Sequence, residues 1–328
     1  MKLHLAALLA AIFILGGCTS TRLNSTLPVT DIPDRVELEE VPFFSQRRQQ
    51  CGAAALATVL AYRGAEVTAA ELEPLVYIPG REGSLAIELV AQARQHQQLA
   101  YPLEPALEDL LREVAAGNPV LVMQNLGLSW LPQWHFAVVV GFDQPQRTLV
   151  LRSGNDQRRL VAMKTFLNTW GKADYWGRVI LSPDRVPASA QPLPYLRAAA
   201  DLEELQLLDA AAASYRAALA QWPDDNDTDG LARLGLGNIA YSQQQYQEAI
   251  GWFQSGRGLQ LPQHWNNLAY SLQAAGCGDE ARRVIGCAVA HFPGNGLLQE
   301  SATELQALTA GGDTDVCRTQ VPANCTAP

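Results

Sequence analysis

Apolar residues are arranged in three different ways along this chain, and each arrangement predicts a different kind of structure. Residues 5–15 form one uninterrupted apolar run. Residues 36–185 combine Ala- and Leu-rich stretches with short β-branched runs, which predicts a domain of mixed helices and strands. Residues 186–308 are helical in composition and repeat a similar pattern about three times, which predicts a second, all-α domain.

In the mixed domain the clearest predicted element is a helix that begins at Cys51. The following residues are rich in Ala and Leu and end at Gly64, as expected of a buried helix with a glycine stop. Thr68 and Glu71 have the spacing of a capping box, and Ser84 is a candidate cap for a third helix. Further helices are predicted over residues 85–95 and 107–116, and strands over residues 119–124, 136–142, 148–152, 159–163 and 175–181.

The N-terminal apolar run predicts a targeting segment. Lys2 precedes it, and at this length it suits a signal peptide better than a membrane span. The run ends in Gly16-Gly17-Cys18, which resembles the bacterial lipoprotein signal. The resemblance implies a signal peptide over residues 1–17, a lipidated tether over residues 18–35 that begins at Cys18, and, since Thr19 follows, sorting to the outer membrane facing the periplasm. The alternative is an ordinary signal peptide with a cysteine nearby.

The repeated pattern of the all-α stretch resembles the tetratricopeptide repeat. The third unit carries the signature residues Trp265, Leu268 and Ala269, and earlier units match at fewer positions. The resemblance implies about three helix pairs over residues 186–308, followed by a tail over residues 309–328. It also implies a concave surface that binds a protein partner or substrate. Proline residues between 187 and 194 predict a linker before the repeats.

Composition narrows the range of functions. The 328 residues carry a net charge of −9 without a long basic run, so nucleic-acid binding through a basic face is not expected. The sequence contains neither a Cys/His ligand cluster nor a glycine-rich phosphate loop. We therefore expect no metal and no cofactor.

The six cysteines divide into separate groups. Cys18 belongs to the predicted lipidation site, and Cys51 is far from the others. The remaining four lie near the C-terminus, where export to an oxidising compartment favours one or two disulfides. Cys317 and Cys325 are the easiest pair. Cys277 and Cys287 are not expected to pair with each other, because helical rise separates them.

Cys51 and His135 are the candidate catalytic residues. A thiol at a helix N-terminus is stabilised as the nucleophilic thiolate by the helix dipole and unpaired N–H groups. His135 precedes an apolar β-branched run that ends in Gly141, so it begins a predicted strand. Gln46, five residues before Cys51, can donate an amide N–H to a developing oxyanion.

The motifs Val-Pro-Phe-Phe-Ser-Gln, Cys-Gly-Ala-Ala-Ala-Leu and His-Phe-Ala-Val-Val-Val-Gly-Phe-Asp resemble the bacteriocin-processing (double-glycine) peptidase family over about residues 36–183. The resemblance implies an α+β papain-like fold, with the cysteine on a helical lobe and the histidine on an antiparallel sheet. The family's usual orienting Asp is absent, and Ser153 stands where it is expected. Asn155 is our first candidate for that role, followed by Asp156 and Ser153.

These patterns together predict a cysteine endopeptidase of the bacterial envelope that acts on a peptide or protein. Cleavage after Gly-Gly is what the family resemblance implies. The first alternative is an inactive papain-like scaffold or protein-binding lipoprotein. A second alternative is amide transfer or cross-linking by the same Cys-His pair.

Overall fold

A computed structural model describes residues 29–45, 50–81, 83–255, 261–308 and 317. The predicted signal peptide and most of the predicted tether lie outside these ranges, as do the candidate residues Cys18, Gln46 and Cys325. Among the helices of the described ranges, none has both the length and the apolar composition that crossing a membrane requires.

The chain folds into a mixed α/β region followed by helices alone. The helices are α1 (Cys51–Tyr62), α2 (Ala69–Val76), α3 (Ala86–Gln95), α4 (Leu107–Ala115), α5 (Met163–Gly171), α6 (Pro192–Glu204), α7 (Leu208–Gln221), α8 (Asn226–Ser242), α9 (Tyr246–Gln254), α10 (Pro262–Ala274), α11 (Gly278–His291) and α12 (Gly296–Ala307). The strands are β1 (Arg35–Glu37), β2 (Tyr77–Ile78), β3 (Gly83–Ser84), β4 (Leu99–Pro102), β5 (Val120–Asn125), β6 (Trp134–Asp143), β7 (Thr148–Ser153), β8 (Asp156–Ala162) and β9 (Gly177–Leu181).

An antiparallel sheet of seven strands forms the centre of the α/β region. Its strand order is β4-β9-β5-β6-β7-β8, and β1 pairs with the far end of β6 beyond the reach of β5. Both faces of β6 are covered, with Phe136, Val138 and Val140 in one apolar cluster and Ala137 and Val139 in another. Burial on both faces explains why this strand is a continuous apolar run and does not alternate with polar residues.

Helix α1 packs on the sheet as a helix that is buried almost all round. Residues 52–60 are buried, and many are alanines, whose small side chains allow the helix to approach the sheet closely. The helix begins at Cys51 and ends next to Gly64, as predicted. The capping box of α2 is also confirmed, since Thr68 Oγ1 accepts from the Glu71 N–H at 3.3 Å and the Glu71 carboxylate accepts from the Thr68 N–H at 2.8 Å.

Some predicted elements need correction. Helix α3 begins after Leu85 without a side-chain cap, and Ser84 lies in the short strand β3. Five elements of the α/β region were not predicted: β1, β2, β3, β4 and α5. Strands β1 and β4 are short, and their pairing with distant strands is a tertiary effect that local propensity does not carry.

The segment between the sheet and α6, predicted as a linker, is held firmly. The Glu113 carboxylate is fully buried and accepts from the Ser189 N–H and hydroxyl, each at 2.6 Å, and from the Asn118 amide at 2.7 Å. Tyr101 Oη accepts from the Gln191 N–H at 3.0 Å. One apolar cluster extends from the sheet through Tyr195 into α8. The two predicted domains therefore share a core across this segment.

Three helix pairs of the second half are joined by the same turn. The middle residue of each turn has a positive φ, at Gln206, Gln244 and Gly276 (60°, 61° and 84°). The next residue donates its N–H to the carbonyl five residues earlier, which satisfies an end carbonyl of the helix. These bonds are Leu207 to Leu202 at 3.0 Å, Gln245 to Ala240 at 2.9 Å and Cys277 to Leu272 at 2.8 Å. The same turn also ends α1, α3 and α4, where Ala65, Gln98 and Asn118 donate to Leu60, Ala93 and Glu113. It is therefore a general helix ending in this chain.

The disulfide pattern differs from the expected one. Cys277 is bonded to Cys317, so the expected pairing of Cys317 with Cys325 is wrong. Cys287 is also disulfide-bonded, and Cys51 is a free thiol. The error arose because sequence proximity favoured a short loop, whereas the fold brings Cys317 against the start of α11.

Candidate active site

Cys51 occupies the first position of α1, and its thiol lies against the start of β6. Backbone hydrogen bonds from Phe136 and Gly52 reach the thiol. Phe136 directly follows His135, so the helix start and the strand start that carry the two candidate catalytic residues meet here. Burial raises the pKa of the Cys51 thiol, and these backbone N–H groups oppose that rise only in part.

His135 is the second residue of β6, and its Nε2 lies 2.8 Å from Ser153 Oγ. Burial lowers the pKa of His135 to about 4, and the positive charge of Arg159 acts in the same direction. Near neutral pH the imidazole is therefore uncharged. With Nε2 engaged by Ser153, Nδ1 is the ring nitrogen that remains to exchange a proton with the thiol.

Ser153, and not Asn155, lies beside the imidazole. Asn155 Oδ1 instead accepts from Ser45 Oγ at 2.9 Å, which corrects the expectation that Asn155 orients His135. Gly154, at φ 63°, turns the chain between the two residues, so that Ser153 and Asn155 serve different neighbours. Asp156 begins β8 opposite Ser153 and is exposed. A hydroxyl fixes the ring by a hydrogen bond but offers no charge to an imidazolium.

Arg152 is a part of this region that sequence reasoning missed. Its guanidinium is buried and donates to the Val41 carbonyl at 3.1 and 3.2 Å, to Glu39 O at 3.3 Å and to Gln157 O at 2.7 Å. Arg152 and Asn155 thus hold the segment that leads towards Cys51. The one signal in the sequence was an Arg at the end of an otherwise apolar strand, next to Ser153.

Gly52 is required by close packing behind the nucleophile. A Cβ at this position would lie 2.4 Å from Ser84 Oγ and 2.5 Å from Ser84 Cβ. Both contacts are shorter than side chains tolerate, so the N-terminus of α1 reaches its place only without a side chain after Cys51. The sequence alone did not assign Ser84 to this contact.

We expect Gly52→Ala to displace the start of α1 or β3, with a loss of stability of about 1–3 kcal/mol. Thermal unfolding and the labelling rate of Cys51 by iodoacetamide are the measurements. The double variant Gly52→Ala/Ser84→Gly removes the collision and should recover most of both quantities. If Gly52→Ala matched the unsubstituted protein in melting temperature and labelling, the packing account would be incorrect.

The described residues include no group of three or more His, Cys, Asp or Glu side chains placed to hold a metal ion. The arrangement of Cys51, His135 and Ser153 offers a nucleophile, a base and a hydroxyl that orients the base. These are the groups that covalent catalysis at a carbonyl carbon uses.

Comparison with known proteins finds similarity within the α/β region of the chain. Residues 38–176 match the model of a family described as Peptidase_C39 like family, which is less than half of the chain. No curated protein matches the chain.

Three solved structures are similar to it. A putative C39-like peptidase from Bacillus anthracis is 20% identical with a TM-score of 0.39, and the match covers 45% of this chain and 97% of that one. A double glycine motif protease from an AMS/PCAT transporter in complex with the leader peptide is 25% identical with a TM-score of 0.35, and the match covers 44% of this chain and 92% of that one. The peptidase domain of Streptococcus ComA, a bi-functional ABC transporter involved in a quorum sensing pathway, is 16% identical with a TM-score of 0.33, and the match covers 43% of this chain and 98% of that one.

The family match and the fold agree on one region of the chain. It contains strands β4 to β8 of the antiparallel sheet, α1 with Cys51 at its start and β6 with His135 near its start. The α/β region is thus a C39-like domain, and residues 38–176 are the part of it that the family model matches.

Proposed function

We propose that this protein is a cysteine endopeptidase of the bacterial envelope that cleaves a peptide or protein substrate. The observation that carries the proposal is the meeting of the Cys51 thiol with the start of β6, where His135 is fixed by Ser153. The C39-like domain supports the same reaction class. Cleavage after Gly-Gly is the specificity that the family resemblance suggests.

In the proposed mechanism, Cys51 Sγ attacks the scissile carbonyl while His135 accepts the thiol proton. The backbone N–H of Cys51 and the amide of Gln46 would stabilise the oxyanion. His135 then donates the proton to the leaving amine, and water hydrolyses the thioester with His135 again acting as base. Because burial disfavours both the thiolate and the imidazolium, the resting pair is neutral, and proton transfer accompanies attack.

The proposal includes the two ends of the chain. Lipidated Cys18 would attach the protein to the outer membrane, facing the periplasm. The helix pairs, as tetratricopeptide repeats, would bind a protein partner or the substrate. The lipoprotein-like sequence around Cys18 supports the membrane attachment. The repeat-like residues of the sequence and the paired helices of the second half support the partner-binding role.

Labelling of Cys51 by iodoacetamide across pH tests the catalytic part. His135 is neutral above about pH 4, so it is available as a base throughout the range from pH 5 to 8. We expect labelling at pH 6–7 to be slowed about 100-fold by His135→Ala, the usual contribution of a general base. At a pH above the raised pKa of the Cys51 thiol the two rates should converge, because the thiol then ionises without assistance.

Equal labelling of the two proteins at pH 6 would contradict the peptidase proposal. It would favour the inactive scaffold, which the neutral Cys-His pair and the missing carboxylate also suggest. His96→Ala is the matched control. His96 follows α3 and takes no part in the site, so this variant should label like the unsubstituted protein.

A further inference from the structure

The turn between β5 and β6 exposes a cluster of large apolar side chains. We define the apolar hairpin as residues 126–134, which contain no charged residue. Trp130 is 78% exposed and Leu131 62%, and Leu126, Leu128 and Trp134 are exposed as well. Elsewhere in the described chain, exposed large apolar residues are mostly scattered singly, as on ordinary protein surfaces.

The hairpin is built to keep these side chains exposed. Asn125 Oδ1 accepts from the N–H groups of Gly127 and Gln133, both at 2.9 Å. Leu128 and Leu131 exchange two backbone hydrogen bonds at 3.1 Å. A Cβ on Gly127 would lie 2.4 Å from Leu131 O, so the turn is closely packed. The backbone is thus fixed by its own bonds and does not fold back to bury its apolar residues.

The hairpin consists of residue types that proteins commonly place at the interface of a lipid bilayer. Trp and Leu project from its tip, and Lys172 stands at its base, where its amine donates to Gly127 O at 2.9 Å. Trp prefers the boundary between lipid headgroups and acyl chains, and Lys prefers the anionic headgroup level above it. A turn without charges, with aromatic residues at the tip and a cation at the base, suits insertion into one leaflet.

The chain between Cys18, the proposed lipid anchor, and Val29 is long enough for the apolar hairpin to contact the same bilayer. Val29 donates its N–H to Gln144 at the end of β6, whereas the hairpin lies at the beginning of that strand. Ten residues of strand span roughly 33 Å. The eleven residue steps from Cys18 to Val29 span at most about 40 Å. An anchor at Cys18 and the hairpin therefore reach the same bilayer when the sheet lies along its surface.

We infer that the apolar hairpin inserts into the interface of the bilayer to which the N-terminal segment attaches the chain. The inference rests on the membrane attachment included in the proposed function. His135 directly follows the hairpin, so the candidate site would open at the membrane surface. Its substrates would then be peptides that lie on or extend from that surface.

Tryptophan quenching in vesicles tests the inference with the full chain. All seven tryptophans lie at or after position 130, so the N-terminal segment contributes no signal. The chain is reconstituted into vesicles of phosphatidylethanolamine and phosphatidylglycerol, with or without a bromine-labelled phosphatidylcholine. We expect the bromolipid to quench up to about two sevenths of the emission, because two of the seven tryptophans lie in the hairpin.

The variant Trp130→Phe/Trp134→Phe should lose this quenching, and Leu128→Ser/Leu131→Ser should weaken it by preventing insertion. Trp252→Phe, in α9, is the matched control and should keep it. If the chain floats with vesicles but its tryptophans are not quenched, the inference is overturned while the anchor stands. Emission that changes with protein concentration and not with bromolipid would assign the hairpin to a second copy and also overturn the inference. Iodoacetamide labelling of Cys51 reports on the catalytic proposal separately.

Discussion

Ser153→Asp is expected to raise the pKa of His135 by about 1–3 units, because a carboxylate would stand where the hydroxyl now lies 2.8 Å from Nε2. The present pKa of about 4 reflects burial and the nearby Arg159. A carboxylate opposes both effects by stabilising the imidazolium. Since the imidazolium in turn stabilises the thiolate, labelling of Cys51 at pH 6 should accelerate roughly tenfold or more.

Two further variants make this test specific. Ser153→Asn supplies a carbonyl acceptor without charge and should change the labelling rate little. Ser153→Ala removes the hydrogen bond and should slow it. The pKa of His135 is read by NMR titration, with its signal assigned by its loss in His135→Ala. A faster Cys51 without a rise in that pKa, or a higher pKa without faster labelling, would disprove the proposed coupling.

Glu113→Ala is expected to lower the free energy of unfolding by roughly 3 kcal/mol or more. The buried carboxylate accepts from Ser189 and Asn118, and its removal leaves their buried donors without partners. Because Ser189 lies in the segment that joins the sheet to α6, the loss should also loosen that segment. We expect trypsin to cut after Arg185 much faster in the variant, and urea unfolding to measure the stability.

Two controls separate the network from general effects. Glu66→Ala removes an exposed carboxylate and should change neither stability nor cleavage. Glu113→Gln keeps the shape but only one acceptor oxygen, and it should lie between Glu113→Ala and the unsubstituted protein. A destabilised Glu113→Ala whose bond after Arg185 stayed protected would mean that Glu113 supports the sheet without fixing the segment.

Much of the C39-like domain follows from local pattern. The Ala/Leu run from Cys51 to Gly64 could form only a closely packed helix, and the Thr68 capping box fixed the start of α2. The β-branched run after His135 made β6 a buried strand. The positions of Cys51 and His135 at the starts of these elements were therefore predictable, and the structure brings those two starts together.

The sequence by itself thus determined the elements, the order of the two halves and the residues that begin α1 and β6, because helix and strand signals act over a few neighbouring residues. Only the tertiary structure decided which partner each side chain meets. Gly154 directs Ser153 to His135 and Asn155 to Ser45, and Cys317 meets Cys277 across 40 residues. The proline-containing linker is fixed by a tertiary contact as well, because Ser189 in this segment donates two hydrogen bonds to the buried Glu113 carboxylate, which is distant in sequence.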